Sequence, residues 1–345
     1  MEQAARANQR VIELDALRGL AALAVMLFHY TTFYDQQIGH RNPLGFGFPA
    51  GNYGVHLFFL ISGFVIFMTL ERTRNAMDFA MSRFSRLFPA YWVALALTAT
   101  VVYTIGMPQQ RLPLSDLLVN LTMIQQMLGP ESLDGSYWTL EVELFFYAQM
   151  LAWFVFGQLR RIHWIIGAWL ALAVIYGLAE QRQAHFSYTA RELLILLHVP
   201  FFALGILFYR IYTRKDRPGE LPLNLAMIAL SLAAIGIAKQ PIYLLVALIC
   251  SAIFAIFIAG WLRWLDRPVF AFFGAISYSL YLLHQAIGFA LINRLERMGL
   301  HSWGAVLVAL AVALGLATLL TWTVERPAMR AIRAWWKRRE AAASP

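Results

Sequence analysis

The sequence predicts an all-α, polytopic membrane helical bundle of about ten transmembrane helices, and three observations carry that expectation. Hydrophobic residues fill 60% of the 345 positions and charged ones only 14%, with a mean hydropathy of +0.60. Soluble domains are roughly one-half apolar and one-quarter charged. Apolar stretches at 88 to 106, 163 to 179, 222 to 238, 241 to 260 and 303 to 323 approach or exceed the ~20 residues that cross a ~30 Å hydrocarbon core as helix. None alternates polar with apolar residues as a barrel strand must, so helix is the remaining solution.

Ten spans follow in order, at about 12 to 34, 54 to 70, 88 to 106, 138 to 157, 163 to 179, 191 to 213, 222 to 238, 241 to 260, 269 to 293 and 303 to 323. Arg6, Arg10, Glu13, Asp15 and Arg18 lead into the first, and no small-residue cleavage site follows Tyr30 to Tyr34. A retained helix is therefore expected, not a signal peptide. An even number of spans puts both ends on one side, and 21 of the 28 Lys and Arg residues then fall on that side. Positive residues gather on the cytoplasmic face, so both the amino-terminal stretch, about 1–11, and the basic tail, about 324–345, are expected there. The whole chain, 1–345, reads as one transmembrane domain, and an inner (plasma) membrane location follows.

The net charge of +9 and pI near 9.8 are thus mostly a topology signal. The cations are spread over short loops and tails with no recognition module, which argues against nucleic acid as a partner. The tail from Arg326 to Arg339 also suits contact with anionic lipid headgroups. Pro108, Pro113, Gly129, Pro130 and Gly135 break the segment 107 to 137 around a mildly apolar stretch, Leu117 to Met127, where a short interfacial or re-entrant helix is expected. The single cysteine, Cys250, lies in an apolar run and permits no disulfide framework. No internal repeat of the kind seen in two-half transporters stands out.

Ionisable residues inside an apolar span are expensive and usually face a protein interior or a water-filled path. Arg18 and His29 are such residues, eleven positions apart in the first span. That spacing brings them within about 20° of one helix face and ~16 Å apart along the axis. Two readings fit: walls of one cavity at two depths, or a snorkelling arginine and a histidine that merely joins helices. Glu141 and Glu143 open the fourth span, two residues apart, and so point about 200° from each other. Glu143 lies deeper and is the better cavity candidate, while Glu141 suits a solvated helix start favoured by the dipole.

Arg72, Arg74, Arg83 and Arg86 cluster after the second span. Arg83 and Arg86, three apart, share a helix face suited to a phosphate-bearing ligand, and ordinary positive-inside residues are the competing explanation. Ser277, Tyr278, Tyr281 and His284 lie in the ninth span, with Tyr281 and His284 three apart. Glu325 and Arg326 close the tenth, as structural ends.

Together these pieces resemble the acyltransferase-3 family of integral membrane acyltransferases, through nearly the whole chain. They are ELDALRGLAALAVMLFHY (13 to 30), with its arginine, ten residues, histidine pattern; GVHLFFLISGF (54 to 64); RFSR (83 to 86); WTLEVELFFY (138 to 147); ISYSLYLLHQ (276 to 285); and ERP (325 to 327). The resemblance is to the stand-alone form without an SGNH-type hydrolase domain. It implies acyl transfer, usually acetyl, from cytoplasmic acyl-CoA to a hydroxyl of a carbohydrate or glycolipid, with acetyl-CoA as co-substrate and no metal.

In that chemistry the acceptor hydroxyl needs a base, because it is a poor nucleophile near neutral pH. His29 is the expected base, and a carboxylate on its other nitrogen would orient it; Glu143 is the candidate. Arg18 would hold the donor or balance buried negative charge, and Arg83 and Arg86 would bind the donor's phosphates. Ser277, Tyr278, Tyr281 and His284 are the candidate cavity lining, from which an oxyanion donor would come. The loop 35 to 53, with Tyr34, Asp35, His40, Asn52 and Tyr53, and the segment 107 to 137 are candidate sugar-recognising surfaces. A covalent acyl-histidine intermediate, a succinyl donor, a non-catalytic membrane scaffold, and a transporter or flippase using the same polar lane stay open at this level.

Overall fold

The computed structural model describes residues 11–184, 186–214 and 219–343. Arg6 and Arg10 of the expected amino-terminal stretch, and Lys215 and Arg217 of one basic loop, lie outside them. In order, the chain forms α1 (Ile12–Phe28), α2 (Tyr34–Gln37), α3 (Gly54–Arg72), α4 (Ala76–Thr104), α5 (Leu114–Asn120), α6 (Trp138–Val155), α7 (Ile162–Gln181) and α8 (Tyr188–Leu193). It continues through α9 (Val199–Arg214), α10 (Glu220–Ala238), α11 (Pro241–Ile258), α12 (Pro268–Leu283), α13 (Gln285–Arg297), α14 (Ser302–Leu320) and α15 (Arg326–Ala343). Two π-helical segments, His29–Phe33 and Thr321–Glu325, and several short 3-10 turns complete the chain, and no strand occurs among the described residues.

The fold class is the one expected, all-helical and membrane-integral, but the count of ten spans is not reached. Among the described residues six helices are long and apolar enough to cross a membrane, or seven if α12 and α13, bent by 69° at one residue, form one broken span. The other expected spans are helical yet interrupted or polar. The first gives way to π-helix at His29, α6 carries two glutamates, and α9 is a shorter apolar helix after the turn that ends α8. α4, at 29 residues, is about 43 Å long and exceeds the thickness of a ~30 Å hydrocarbon core.

The described residues divide into two compact units, one within 11–18, 55–76 and 142–271, the other within 19–54, 77–141 and 272–343. In the first, α7, α9, α10 and α11 pack side by side. The apolar windows of α10 and α11 are only 22% and 28% buried, so their outward faces are apolar because they meet lipid. α3 and α9 cross at two glycines. A Cβ on Gly63 would stand 2.1 Å from the Phe202 carbonyl oxygen, and one on Gly205 would stand 2.0 Å from that of Leu60. Small residues allow such backbone approach where the hydrophobic effect supplies no drive between helices. Around the crossing, Phe202 stacks on Phe146 at 4.1 Å and lies against Phe59 at 4.9 Å.

In the second unit, the segment between α4 and α6 is a built cover. The expected short helix is α5, which starts at Leu114 and ends at Asn120. Fully buried Asn120 donates to the carbonyls of Asp116 and Glu131, accepts from the Leu133 amide, and offers its own carbonyl to the Tyr91 hydroxyl. Glu141 does not sit at a solvated helix start. It is 3% exposed, and its carboxylate accepts the amides of Gln126 and Met127, because the tight turns there leave those N–H groups without helical partners.

Because the obstacle at the crossing is backbone and not a side-chain tip, Gly205→Ala is expected to destabilise the protein by about 1–3 kcal/mol, the usual range for overpacking. Thermal unfolding of the purified protein in detergent measures it; a melting temperature equal to that of the parent would show that the crossing yields.

Candidate active site

The site in the second unit is built around the break between α12 and α13. A helix that ends within an apolar environment strands carbonyls on one side and amides on the other, and protein groups must satisfy them. Here they do. The Tyr281 carbonyl accepts from His284 Nδ1 at 2.8 Å and from Ser136 Oγ at 3.3 Å, and the Leu282 carbonyl accepts from the Tyr137 hydroxyl at 3.1 Å. The His284 carbonyl accepts from the Tyr30 hydroxyl at 2.6 Å. On the far side, the Ala286 amide in the first turn of α13 donates to Asp134 Oδ2 at 2.8 Å.

Asp134 was not singled out from the sequence. It is fully buried, and its other oxygen accepts the Ser136 amide and hydroxyl at 2.8 and 2.5 Å, an Asx-turn of the kind that Asp two residues before Ser makes. That local DGS pattern ahead of α6 was the available signal. Burial pushes the carboxyl above the ordinary aspartate value, and the bonds from Ser136 and Ala286 oppose the rise.

Against this break stands the π-helical segment that begins at His29. Tyr30 is seated because α13 has a glycine opposite it; a Cβ on Gly288 would stand 2.2 Å from the Tyr30 hydroxyl oxygen. His29 is 9% exposed, its ring walled by Phe28, Phe33 and Phe289 at centroid distances of 5.0, 5.5 and 6.3 Å. His29 Nδ1 lies 2.9 Å from the Val25 carbonyl and 3.1 Å from His284 Nε2.

The tautomers follow from the partners. A carbonyl only accepts, so the carbonyl of Tyr281 assigns the proton of His284 to Nδ1, and that of Val25 assigns the proton of His29 to Nδ1. His284 Nε2 then accepts from His29 Nδ1–H, which is shared between two acceptors. His29 Nε2 is left with its lone pair, the form a general base requires.

A second histidine braces the same segment. His40 Nε2 donates to the Tyr30 carbonyl at 2.9 Å, and its Nδ1 pairs with Glu296 Oε1 of α13 at 2.8 Å. Tyr34, expected on a recognition loop, is instead buried, with its hydroxyl on Glu296 Oε2 at 3.3 Å. Thr31, Thr32, Asp35, Gln36, His40 and Phe46 line part of a cavity of about 330 Å³ beside the π-helical segment.

The other predicted residues separate into groups. Tyr281 braces the cover, accepting from Thr139 Oγ1 at 2.9 Å and donating to the Ser136 carbonyl at 3.3 Å. Ser277 spends its hydroxyl on the Gly274 carbonyl of its own helix at 2.9 Å. Tyr278 belongs elsewhere, with its hydroxyl on the Leu87 carbonyl at 2.9 Å and its ring 5.3 Å from the Arg86 guanidinium. Arg86 in turn pairs with Glu325, whose second oxygen accepts from Ser279 at 2.7 Å. Glu325 is 1% exposed, so it is a buried counterion and not merely a helix end. Arg83 folds back on Ser82 Oγ at 3.2 Å.

Arg18 and Glu143 belong to the first unit. Arg18 is half-buried on α1. Glu143 Oε1 accepts from Ser62 Oγ at 2.7 Å and from the Tyr147 hydroxyl at 2.5 Å. No group of three or more His, Cys, Asp or Glu side chains with metal-binding geometry occurs among the described residues.

Removing one partner of a buried hydrogen bond costs about 1–3 kcal/mol, so Asp134→Ala is expected to lower stability by that amount, since it strands the Ala286 and Ser136 amides. Chemical denaturation in detergent reads the loss, and an unchanged midpoint would remove Asp134 from the support of the break.

Comparison with known proteins agrees with this architecture. Residues 11–322 match the acyltransferase-3 family model, described as an acyltransferase domain. The chain is similar to acyltransferase MdmB of Streptomyces mycarofaciens, 25% identical over 97% of this chain and 96% of that protein. It is similar to the exopolysaccharide production protein ExoZ of Rhizobium meliloti (strain 1021), 28% identical over 75% of this chain and 80% of that one. A putative acetyltransferase, ORF330 of Acidianus two-tailed virus, is 27% identical over 47% of this chain and 46% of its own length. No solved structure matches the chain. With its helices, its apolar spans and a family match over most of its length, this integral membrane protein belongs to the acyltransferase-3 family.

Proposed function

We propose that this membrane acyltransferase is an O-acyltransferase, and most simply an O-acetyltransferase, that moves an acyl group from acyl-CoA to a hydroxyl of a cell-envelope or exported carbohydrate or glycolipid. One observation carries the reading: the hydrogen bond between His29 and His284 leaves His29 Nε2 as a proton acceptor in an aromatic pocket. The name of the rhizobial relative, an exopolysaccharide production protein, supports a carbohydrate acceptor, and that of the viral one supports an acetyl donor. The distribution of basic loops supports a plasma-membrane protein with both termini in the cytoplasm, where the donor is found.

In the proposed reaction His29 Nε2 takes the acceptor's hydroxyl proton as that oxygen attacks the thioester carbonyl. The tetrahedral intermediate collapses with loss of the CoA thiolate, which recovers the proton from His29. The products are the ester and free CoA thiol. Throughout, His29 Nδ1–H is held by His284 Nε2 and the Val25 carbonyl, which orient the ring and stabilise the imidazolium as it forms. His284 thus fills the orienting place that spacing offered to Glu143.

Glu143, with hydroxyl donors from Ser62 and Tyr147, and Arg18 are proposed to hold the donor's polar arm and balance charge. Arg83 and Arg86 are proposed to meet its phosphates. The cavity of Thr31, Asp35, Gln36 and Phe46 beside the π-helical segment offers the carboxylate, amide and aromatic face that suit a sugar acceptor.

General-base loss lowers rates by about 10²–10⁴-fold, so His29→Ala is expected to reduce acyl transfer by that factor while the protein stays folded and membrane-inserted. His284→Ala is expected to fall between it and the parent. Mass spectrometry of envelope glycans, with and without each variant, measures transfer; full activity of His29→Ala would sink the assignment. Arg83→Ala combined with Arg86→Ala is expected to raise the donor KM with little change in kcat, and an unaltered donor KM would return both residues to a purely topological role.

A further inference from the structure

The first turns of α4 and the basic helix α15 meet through matched faces. Asp78, Ser82 and Ser85 recur at helical spacing on α4, as Arg333 and Trp336 do on α15. Trp336 Nε1 donates to Asp78 Oδ1 at 2.7 Å. Arg333 donates from Nε to Ser85 Oγ at 3.3 Å, and from Nη2 to the Ser82 hydroxyl at 3.2 Å and carbonyl at 3.4 Å. Arg83 Nη2 reaches the same Ser82 hydroxyl at 3.2 Å. Two guanidinium groups therefore share one oxygen, and Arg86 lies one turn further along α4.

This convergence works against itself. The acceptors of Arg333 are all neutral oxygens of serine. Asp78 on α4 is engaged by Trp336, Glu325 just before α15 pairs with Arg86, and Glu340 lies seven residues beyond Arg333 on α15. Burial, together with the charges of Arg83 and Arg86, pushes Arg333 below the ordinary arginine value, although a guanidinium remains protonated at any physiological pH. Like charges held this close attract a polyvalent anion, and an arginine fork matches phosphate oxygens two at a time.

We propose that Arg333 joins Arg83 and Arg86 in one multidentate phosphate site that is complete only when α15 is docked on α4. The donor reading above supplies the ligand, the phosphates of a nucleotide-bearing acyl donor; the site itself rests on the arginine and serine geometry. The same chemistry would accept a phospholipid headgroup, so the two sources must be separated. A ligand that binds only the docked arrangement stabilises it, which couples donor binding to the carboxyl-terminal helix.

The test uses the full chain in nanodiscs of zwitterionic phosphatidylcholine, with CoA as the probe and calorimetry as the readout. Arg333→Gln is expected to weaken CoA binding about tenfold, as for loss of a charge-assisted hydrogen-bonded pair, and to flatten its dependence on salt. Arg333→Lys is expected to restore the salt dependence but only part of the affinity. Arg330→Gln, which removes a cation from the exposed face of the same helix, is expected to bind as the parent does.

CoA is also expected to slow amide exchange over 326–343 in the parent and not in Arg333→Gln. If Arg333→Gln binds CoA with the parent's affinity and salt dependence, the role of Arg333 is overturned while the donor reading stands. If the parent ignores CoA but retains phosphatidylglycerol in native mass spectra in an Arg333-dependent way, the phosphate site is upheld with a lipid ligand and the donor reading falls. Arg333-independent behaviour toward both probes overturns the site.

Discussion

A helix interrupted in an apolar environment exposes carbonyls and amides that water does not reach, and every one left alone weakens the fold. The break between α12 and α13 meets that constraint with the residues that surround His29. Tyr30 takes the His284 carbonyl, Tyr137 that of Leu282, and Ser136 that of Tyr281, while Asp134 holds the Ala286 amide in the first turn of α13. The same bonds that make the break tolerable bring the two imidazoles within 3.1 Å. Structural satisfaction and chemical positioning are one network here, and a buried polar network of this kind holds its geometry only when every member is satisfied.

The fold class was legible because apolar composition and run length leave few alternatives for a backbone that must hide its polar groups. The count of ten spans is not confirmed, since six or seven of the described helices are long and apolar enough to cross and a residue count does not see a π-helical turn at His29 or a 69° bend at His284. His29, His284, Arg83 and Arg86 stood out as costly side chains in apolar surroundings or as paired cations. Their partners did not. His29 meets His284 across 255 positions of chain, and helical periodicity carries no information at that range.

Glu143 was the reasonable choice to orient His29, being a carboxylate inside a span, and its bonds are to Ser62 and Tyr147. Asp134 and Glu141 lay in or beside a segment expected to hold a short interfacial or re-entrant helix, with Glu141 at a solvated helix start. Only the folded cover, with Asn120 at its centre, explains why they are buried. Glu325 was hidden for the opposite reason: at the end of an apolar span it looked like the start of water, and it is a counterion for Arg86.

The π-helical segment His29–Phe33 carries five residues where an α-helix would close its hydrogen bonds one residue sooner. It therefore holds one residue more than a plain helical turn, and that surplus residue fixes which side chains after Phe28 point inward. Losing any one codon within this stretch would let the helix close as ordinary α: Tyr34 to Gln37 would keep their direction, because the surplus residue is taken up inside the bulge, but the side chains of the bulge itself would be re-aimed. Length, not only identity, is thus under constraint at this point of the chain, in contrast to the loop from Ile38 to Phe48, where added residues would leave the register of both flanking helices intact.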